Sequence, residues 1–127
     1  MTDRVAIRRL ATGVPGLDQI LGGGLPEFSF NLIAGAPGAG KTTLAQQIMF
    51  ALSGPERSAL YFTVVGEPPL KMLRYQQQFT FFDVARVNES VRYVNLSQEM
   101  VTRSLEKLLA RIVQEVETTN PSVVIVD

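Results

Sequence analysis

One eight-residue stretch, Gly35 to Thr42, constrains this chain more than any other. It reads GAPGAGKT and fits the pattern of glycine, four residues, glycine, lysine and then serine or threonine. The apolar run FSFNLIA precedes it, and after it Leu44, Ile48 and Leu52 recur at intervals of four. The sequence therefore predicts a strand, a glycine loop and a helix, an arrangement in which backbone amides can surround a phosphate group.

Each part of this loop has a chemical role in binding a nucleotide. Glycines let the backbone turn so that successive amides point inward, and the dipole of the following helix adds positive potential. The Lys41 ammonium is expected to reach the outer phosphates, and the Thr42 hydroxyl to bind Mg²⁺. An accidental glycine-rich turn is the alternative, and the position between a strand and a helix favours nucleotide binding. The residues predicted to contact the nucleotide are Gly35, Ala36, Pro37, Gly38, Ala39, Gly40, Lys41, Thr42 and Thr43.

Size and composition limit what else the chain can do. Its 127 residues, 46% of them hydrophobic, suit one small globular domain over positions 1–127. Twelve basic and twelve acidic residues cancel, so no overall field favours nucleic acid or an anionic membrane. With no Cys and no His, disulfides, thiol chemistry, the usual zinc sites and imidazole catalysis are excluded. No secretory signal or membrane-spanning run is apparent, so we expect a cytoplasmic protein.

Further strands and helices alternate along the chain. Apolar runs predict strands over 58–65, 91–95 and 122–126, and the prolines at 68 and 69 open a helical segment. Between the last two strands, apolar residues recur every three or four positions from Leu105 to Val116. Ser97 is the expected N-cap of that helix, and Asn120-Pro121 its end. This alternation predicts an α/β fold with a parallel sheet covered on both faces.

Two carboxylates are placed where nucleotide hydrolysis needs them. Asp127 closes the apolar run VVIVD. Nucleotide sites of this type place a carboxylate that binds Mg²⁺ at the end of such a buried strand. Glu67, in TVVGEPP, is the candidate to orient or deprotonate the attacking water. A turn residue is the alternative for Asp127, and a carboxylate beside a helix N-terminus is the alternative for Glu67. Glu27 lies before the first strand, and Glu56 lies in a proline-rich turn where it is expected to be solvated.

Five segments together resemble the KaiC family of RecA-like ATPases. They are TGVPGLDQILGGGLP, GAPGAGKTTLAQQIMF, LYFTVVGEPPLKMLR, FTFFDV and SVVIVD. The resemblance implies a three-layer P-loop NTPase fold of the RecA-like type with a mostly parallel sheet. It implies ATP and Mg²⁺ as ligands, Lys41 and Glu67 as catalytic residues, and Thr42 and Asp127 as metal ligands. It also implies a ring of identical subunits in the complete protein, with protein partners that the sequence does not identify.

The chain departs from the family pattern in two respects. Family members usually carry two adjacent glutamates at the end of the second strand, and here Gly66 stands in place of the first. The family fold also continues past the strand that ends at Asp127, and its next strand inserts beside the phosphate-loop strand. We therefore expect the fold to be incomplete at the C-terminus, with positions 1–127 forming part of an ATPase domain.

Three functions remain open from the sequence. The first is an ATPase of the KaiC type, used in signalling or regulation, with water positioned by Glu67. The second is a nucleotide-dependent switch or interaction module with negligible hydrolysis, because Gly66 replaces the expected base. The third is a recombination-type DNA-dependent ATPase, which the balanced charge disfavours.

Overall fold

The computed structural model describes residues 4–64, 69–98 and 104–127. The described chain forms two compact units, Met1–Leu52 and Ser53–Asp127. The helices and strands follow in the order β1 (Arg9–Leu10), α1 (Leu17–Ile20), β2 (Leu25–Pro26), α2 (Lys41–Leu52), β3 (Ala59–Thr63), α3 (Pro69–Gln76), β4 (Val91–Asn95), α4 (Leu105–Thr119) and β5 (Val123–Val126). A short 3₁₀ turn, Val84–Arg86, precedes β4.

A three-stranded parallel sheet organises the second unit. Its strand order is β4-β3-β5, and β3 lies in the centre with all five of its residues buried. The register pairs Tyr61 with Tyr93 on one side and with Ile125 on the other. Parallel neighbours need a crossover connection, and the chain supplies α3 and α4 for this purpose. The predicted α/β class and parallel sheet are confirmed.

One face of this sheet is covered by α4. The core cluster there consists of Leu60, Phe62, Val94 and Leu96. Apolar residues on one side of α4, at the spacing predicted from the sequence, pack against this cluster; they are Leu108, Ile112 and Val116. Burial of these side chains is the main favourable term that holds α4 to the sheet.

The ends of α4 are set by side-chain and backbone capping. The expectation that Ser97 caps this helix is wrong. The Ser104 hydroxyl accepts a hydrogen bond from the Lys107 amide at 3.2 Å, so Ser104 is the N-cap. Ser97 instead donates its backbone N–H to the Asn95 side chain at 2.9 Å. The predicted C-terminus is confirmed, since Asn120 adopts a left-handed conformation and bonds the Val116 carbonyl.

In the first unit, a small hairpin precedes the glycine loop. β1 and β2 pair antiparallel, and the chain between them turns back through α1 and the three glycines Gly22 to Gly24. At Gly24 the φ angle is +140°, and a Cβ there would lie 2.0 Å from the Leu10 carbonyl oxygen. Only glycine fits this approach of the two strands.

The strand predicted over Phe28 to Ala34 is not formed, so that expectation is wrong. Phe28 has a φ of +58°, and the Ser29 hydroxyl bonds the Pro26 carbonyl at 2.5 Å, so the segment begins as a local turn. Phe28 and Phe30 are 97% and 95% exposed. A strand requires a partner for its backbone groups, and none of the described residues pairs with this segment. Apolar periodicity shows that a segment could be buried, but it does not supply the partner.

The hairpin is tied to α1 by the Asp18 carboxylate, which generates a testable prediction. Its Oδ1 accepts hydrogen bonds from the Thr12 amide and from the Thr12 hydroxyl, both at 2.8 Å, and Thr12 is fully buried. The backbone and then the side-chain hydrogen bond from Thr12 lower the Asp18 pKa below its ordinary value of 3.8. Because its pKa is lower in the folded state, the ionised Asp18 carboxylate stabilises the fold at pH values above its unfolded-state pKa. That stabilisation is lost as the pH falls through the folded-state pKa.

We expect Asp18→Ala to be less stable than the wild type at pH 7, because the buried Thr12 amide and hydroxyl lose their acceptor. The difference should shrink as the pH falls below 3.8 and through the lowered folded-state pKa of Asp18, since protonation then removes the charge that accepts these hydrogen bonds. Chemical denaturation at pH 7 and at acid pH measures both effects. Gln19→Ala, at the exposed next position of α1, is the control and should change neither. An Asp18→Ala chain as stable as the wild type at pH 7 would contradict the prediction.

Candidate functional site

The glycine loop presents its backbone to solvent. Every residue from 31 to 40 is exposed, and Gly38 and Gly40 have φ angles of +80° and +94°. The Ala39 amide bonds the Ala36 carbonyl at 3.1 Å and closes a turn within the loop. Positive φ values at two of three successive residues curl the chain in a way that other residue types resist. The curled backbone is of the kind that forms anion-binding concavities.

The loop leads directly into a substantial helix. α2 begins at Lys41 and is 12 residues long. The Leu44 amide donates to the Gly40 carbonyl at 2.9 Å and so joins the end of the loop to the first turn of the helix. The positive end of its dipole is therefore directed at the loop. Thr42 and Thr43, both half-buried, lie in its first turn. The predicted helix from Thr42 to Leu52 is confirmed.

The Lys41 side chain folds back over the loop. Its Nζ donates to the Gly35 carbonyl at 2.5 Å and to the Ala36 carbonyl at 3.0 Å. These contacts hold the ammonium against the start of the loop, where a bound phosphate would gain a point charge.

The second group of polar residues lies at the carboxyl edge of the sheet, in the other unit. Thr63 ends β3, Asn95 ends β4, and Asp127 follows β5 directly. The carboxyl ends of parallel strands share one edge of a sheet, and in open α/β sheets this edge is where ligands bind. The structure therefore places the predicted metal ligand Asp127 at the edge expected for it.

The backbone of Asp127 is fixed by the sheet. Its amide bonds the Phe62 carbonyl at 2.8 Å, and its carbonyl accepts from the Val64 amide at 2.8 Å. These bonds extend the β3–β5 ladder by one residue and place Asp127 opposite Thr63. The carboxylate is held as well, because the Tyr61 hydroxyl donates a hydrogen bond to its Oδ2.

Thr63 adds a second oxygen at this edge. Its hydroxyl is buried and has no hydrogen-bond partner within the described part of the chain. Because residues paired across a parallel ladder project to the same side, the Thr63 side chain shares the sheet face of Asp127. A carboxylate and a hydroxyl are oxygen donors that suit a hard cation.

No group of three metal-binding side chains occurs among residues 4–64, 69–98 and 104–127. The Asp127 carboxylate and the Thr63 hydroxyl are oxygen donors of the kind that magnesium uses, usually one or two carboxylates together with substrate phosphates and water.

The predicted water-positioning residue Glu67 and its neighbour Gly66 lie outside the described residues. Glu56 is solvated, as expected. Glu27 accepts a hydrogen bond from the Arg8 amide at 3.1 Å and pairs with the Arg8 side chain at 3.7 Å. Glu56 lies exposed in the turn after α2.

Sequence reasoning missed the two β3 side chains that face the site, Tyr61 and Thr63. Both lie in ALYFT, which reads as a uniformly buried strand. Their spacing of two was the available signal, because alternate residues of a strand share one face and both carry a hydroxyl. The sequence did not show that the face of Tyr61 is also the face of Asp127.

Comparison with known proteins decides the family. The family described as ATPase: KaiC matches residues 10–127, which is most of the chain. The chain belongs to the KaiC ATPase family. The matched range includes both the glycine loop and Asp127, and the family consists of P-loop ATPases of the RecA-like type.

Curated relatives agree with this assignment. A UPF0273 protein of Methanopyrus kandleri is 47% identical over 64 residues, half of this chain and 25% of its own length. A UPF0273 protein of Methanocaldococcus jannaschii is 30% identical over 68% of this chain and 36% of its own length. The DNA repair protein RadA of Mycobacterium tuberculosis is 31% identical over 94% of this chain and 22% of its own length.

This KaiC-family chain spans between 22% and 36% of the length of these three relatives. No solved structure matches the chain significantly. Within the residues that the structure describes, no helix is long and apolar enough to cross a membrane.

The position of the Lys41 ammonium generates a prediction for nucleotide binding. Lys41→Ala should weaken the binding of an ATP analogue by about ten- to a hundredfold, the loss of one or two hydrogen bonds from a charged donor. Isothermal titration with a non-hydrolysable ATP analogue measures the change. Lys107→Ala removes an exposed lysine from the first turn of α4 and should bind the analogue as the wild type does. Equal affinities of the Lys41→Ala and Lys107→Ala variants would contradict the prediction.

Proposed function

We propose that this KaiC-family chain binds ATP together with Mg²⁺ and hydrolyses the bond to the γ-phosphate, in a signalling or regulatory role. The observation that carries the proposal is the exposed, curled glycine loop at the N-terminus of the 12-residue helix α2, with the Lys41 ammonium held over it. Positions 1–127 are then part of an ATPase domain whose ring-forming assembly belongs to the complete protein.

The loop supplies binding and charge neutralisation. Backbone N–H groups between Gly35 and Thr43, which Pro37 lacks, would donate to the phosphate oxygens, and Lys41 would exchange its carbonyl contacts for the outer phosphates. That exchange is favourable because a phosphate oxygen carries more negative charge than a backbone carbonyl. The α2 dipole acts in the same direction.

Thr42 and Asp127 are the residues that would hold Mg²⁺. Their hydroxyl and carboxylate oxygens fit its preference for hard ligands, and the buried Thr63 hydroxyl beside Asp127 offers a further oxygen for a water bound there. When bound, the ion neutralises the charge that develops on the phosphate oxygens. The other steps of hydrolysis are assigned to side chains of the protein.

Glu67 is proposed to orient the attacking water and to accept its proton. The water oxygen forms a bond to the γ-phosphorus while the bond to the bridging β–γ oxygen breaks, yielding ADP and inorganic phosphate. Gly66 adds freedom to the backbone beside Glu67, which helps a single glutamate to reach the water. Lys41 stabilises the charge on the transferred group.

The hydrolysis proposal predicts that Glu67→Gln lowers kcat by about a hundredfold or more while the affinity for ATP changes little. The amide retains the shape of the side chain but cannot accept a proton. Steady-state phosphate release and analogue titration measure the two quantities separately. Glu56→Gln, a change at an exposed turn, is the control and should leave both unchanged. Unaltered turnover in the Glu67→Gln chain would show that another group positions the water.

A nucleotide switch with negligible hydrolysis is the second candidate, and Gly66 favours it. Its test is Gly66→Glu, which restores the pair of adjacent glutamates. If the chain is an ATPase that relies on Glu67, the substitution should give no gain in phosphate release. A large gain, with ATP affinity unchanged, would instead identify the natural chain as a switch.

A DNA-dependent ATPase is the third candidate, and the similarity to RadA is its support. The balance of twelve basic and twelve acidic residues opposes it, because DNA binding is driven largely by neutralisation of phosphates. Salt-sensitive binding of DNA by this chain would favour this candidate over the other two. A cytoplasmic location and a ring of subunits stay predictions.

A further inference from the structure

A tyrosine on the central strand contacts the carboxylate proposed to hold the metal. Tyr61 is the third residue of β3 and is fully buried. Its hydroxyl donates a hydrogen bond to Oδ2 of Asp127, a residue 66 positions later in the chain. The contact therefore exists only because β3 and β5 pair in one register.

The backbone and the tyrosine constrain Asp127 in different ways. The Asp127 amide and carbonyl both bond to the β3 backbone, which fixes the Cα and the direction of the side chain. The carboxylate could still rotate about its own torsions. The hydrogen bond from Tyr61 limits that rotation, because it requires Oδ2 to lie within reach of a hydroxyl whose ring is packed in the core.

The chemistry of the pair suits a metal ligand. A hydroxyl that donates to a carboxylate forms a charge-assisted hydrogen bond, stronger than one between neutral groups. Carboxylates that bind metals are commonly hydrogen-bonded on their outer side, and loss of such a partner costs ten- to a hundredfold in metal affinity. Asp127 is exposed while Tyr61 is buried, so the donor approaches from the protein interior and the carboxylate is accessible from outside.

We propose that Tyr61 is a positioning residue for the Mg²⁺ site, holding the Asp127 carboxylate in the orientation that binds the ion. The inference rests on the proposed function, because it requires that Asp127 contribute to Mg²⁺ binding. It adds a residue of β3 whose hydroxyl acts on the ion through Asp127 and contacts neither the nucleotide nor the metal.

The chain offers a matched control in Tyr93. This residue pairs with Tyr61 across β3 and β4, and the two ring centroids are 5.3 Å apart. Tyr93 is mostly buried, and burial raises the pKa of its phenol. Tyr93→Phe therefore also removes one phenol oxygen from the same face of the sheet.

The experiment compares the wild type with Tyr61→Phe, Tyr93→Phe and Asp127→Asn in the full chain. For each, the affinity for a fluorescent ATP analogue is measured in EDTA and over a titration of MgCl₂. Thermal unfolding without nucleotide or metal reports any loss of packing. The affinity for Mn²⁺ is measured separately by electron paramagnetic resonance. This measurement does not depend on turnover.

We expect Tyr61→Phe to weaken the apparent Mg²⁺ and Mn²⁺ affinities by about ten- to a hundredfold and to leave analogue binding in EDTA unchanged. Tyr93→Phe should leave both metal affinities unchanged. Combining Tyr61→Phe with Asp127→Asn should weaken metal binding no further than Asp127→Asn alone, because the tyrosine acts through that carboxylate.

Other results distinguish the metal-ligand role of Asp127 from the positioning role of Tyr61. If Asp127→Asn retains the wild-type dependence on Mg²⁺, the metal-ligand role in the proposed function is wrong, and the role of Tyr61 is wrong with it. If Asp127→Asn loses that dependence but Tyr61→Phe retains it, only the role of Tyr61 is wrong. Equal losses of analogue affinity with and without Mg²⁺ in Tyr61→Phe would show a merely structural residue and would also overturn the inference.

Discussion

The backbone pairing of β3 with both of its neighbours is the interaction on which the second unit depends. β3 is buried along its whole length, so each of its amides and carbonyls must find a partner in β4 or β5. The same pairing sets the register that brings Asp127 opposite Thr63. A shift of one residue would turn the Tyr61 side chain to the opposite face of the sheet and break its contact with Asp127. The site and the core therefore share one constraint.

The two faces of the sheet have different roles, one apolar and one polar. On one face, Leu60 and Phe62 pack with residues of α4 and supply apolar burial. The other face carries the Tyr61 hydroxyl, which donates to Asp127, and the buried Thr63 side chain. Alternation of side chains along a strand makes this division possible within five residues. A strand that reads as uniformly buried thus carries both stability and a polar site.

The glycine loop achieves its geometry by different means. Its shape follows from local backbone freedom at Gly38 and Gly40, and the charge above it follows from contacts within six residues of Lys41. No long-range pairing is needed to form it. The loop is accordingly the part of the site that a short sequence pattern identifies well. The membership of the chain in the KaiC family agrees with this pattern.

The sequence by itself determined the elements whose causes are local. The glycine loop, helix α2, strand β4, the apolar side of α4 and its end at Asn120 were all predicted because turn chemistry and periodicity act over a few residues. Ser97 was the predicted N-cap of α4, and only the structure showed that Ser104 occupies that position. Tertiary structure also decided that the segment from Phe28 to Ala34 forms no strand, because a strand depends on a partner that its own residues cannot supply. It alone joined Tyr61 to Asp127, since a contact between residues 66 positions apart arises from register and not from any local pattern.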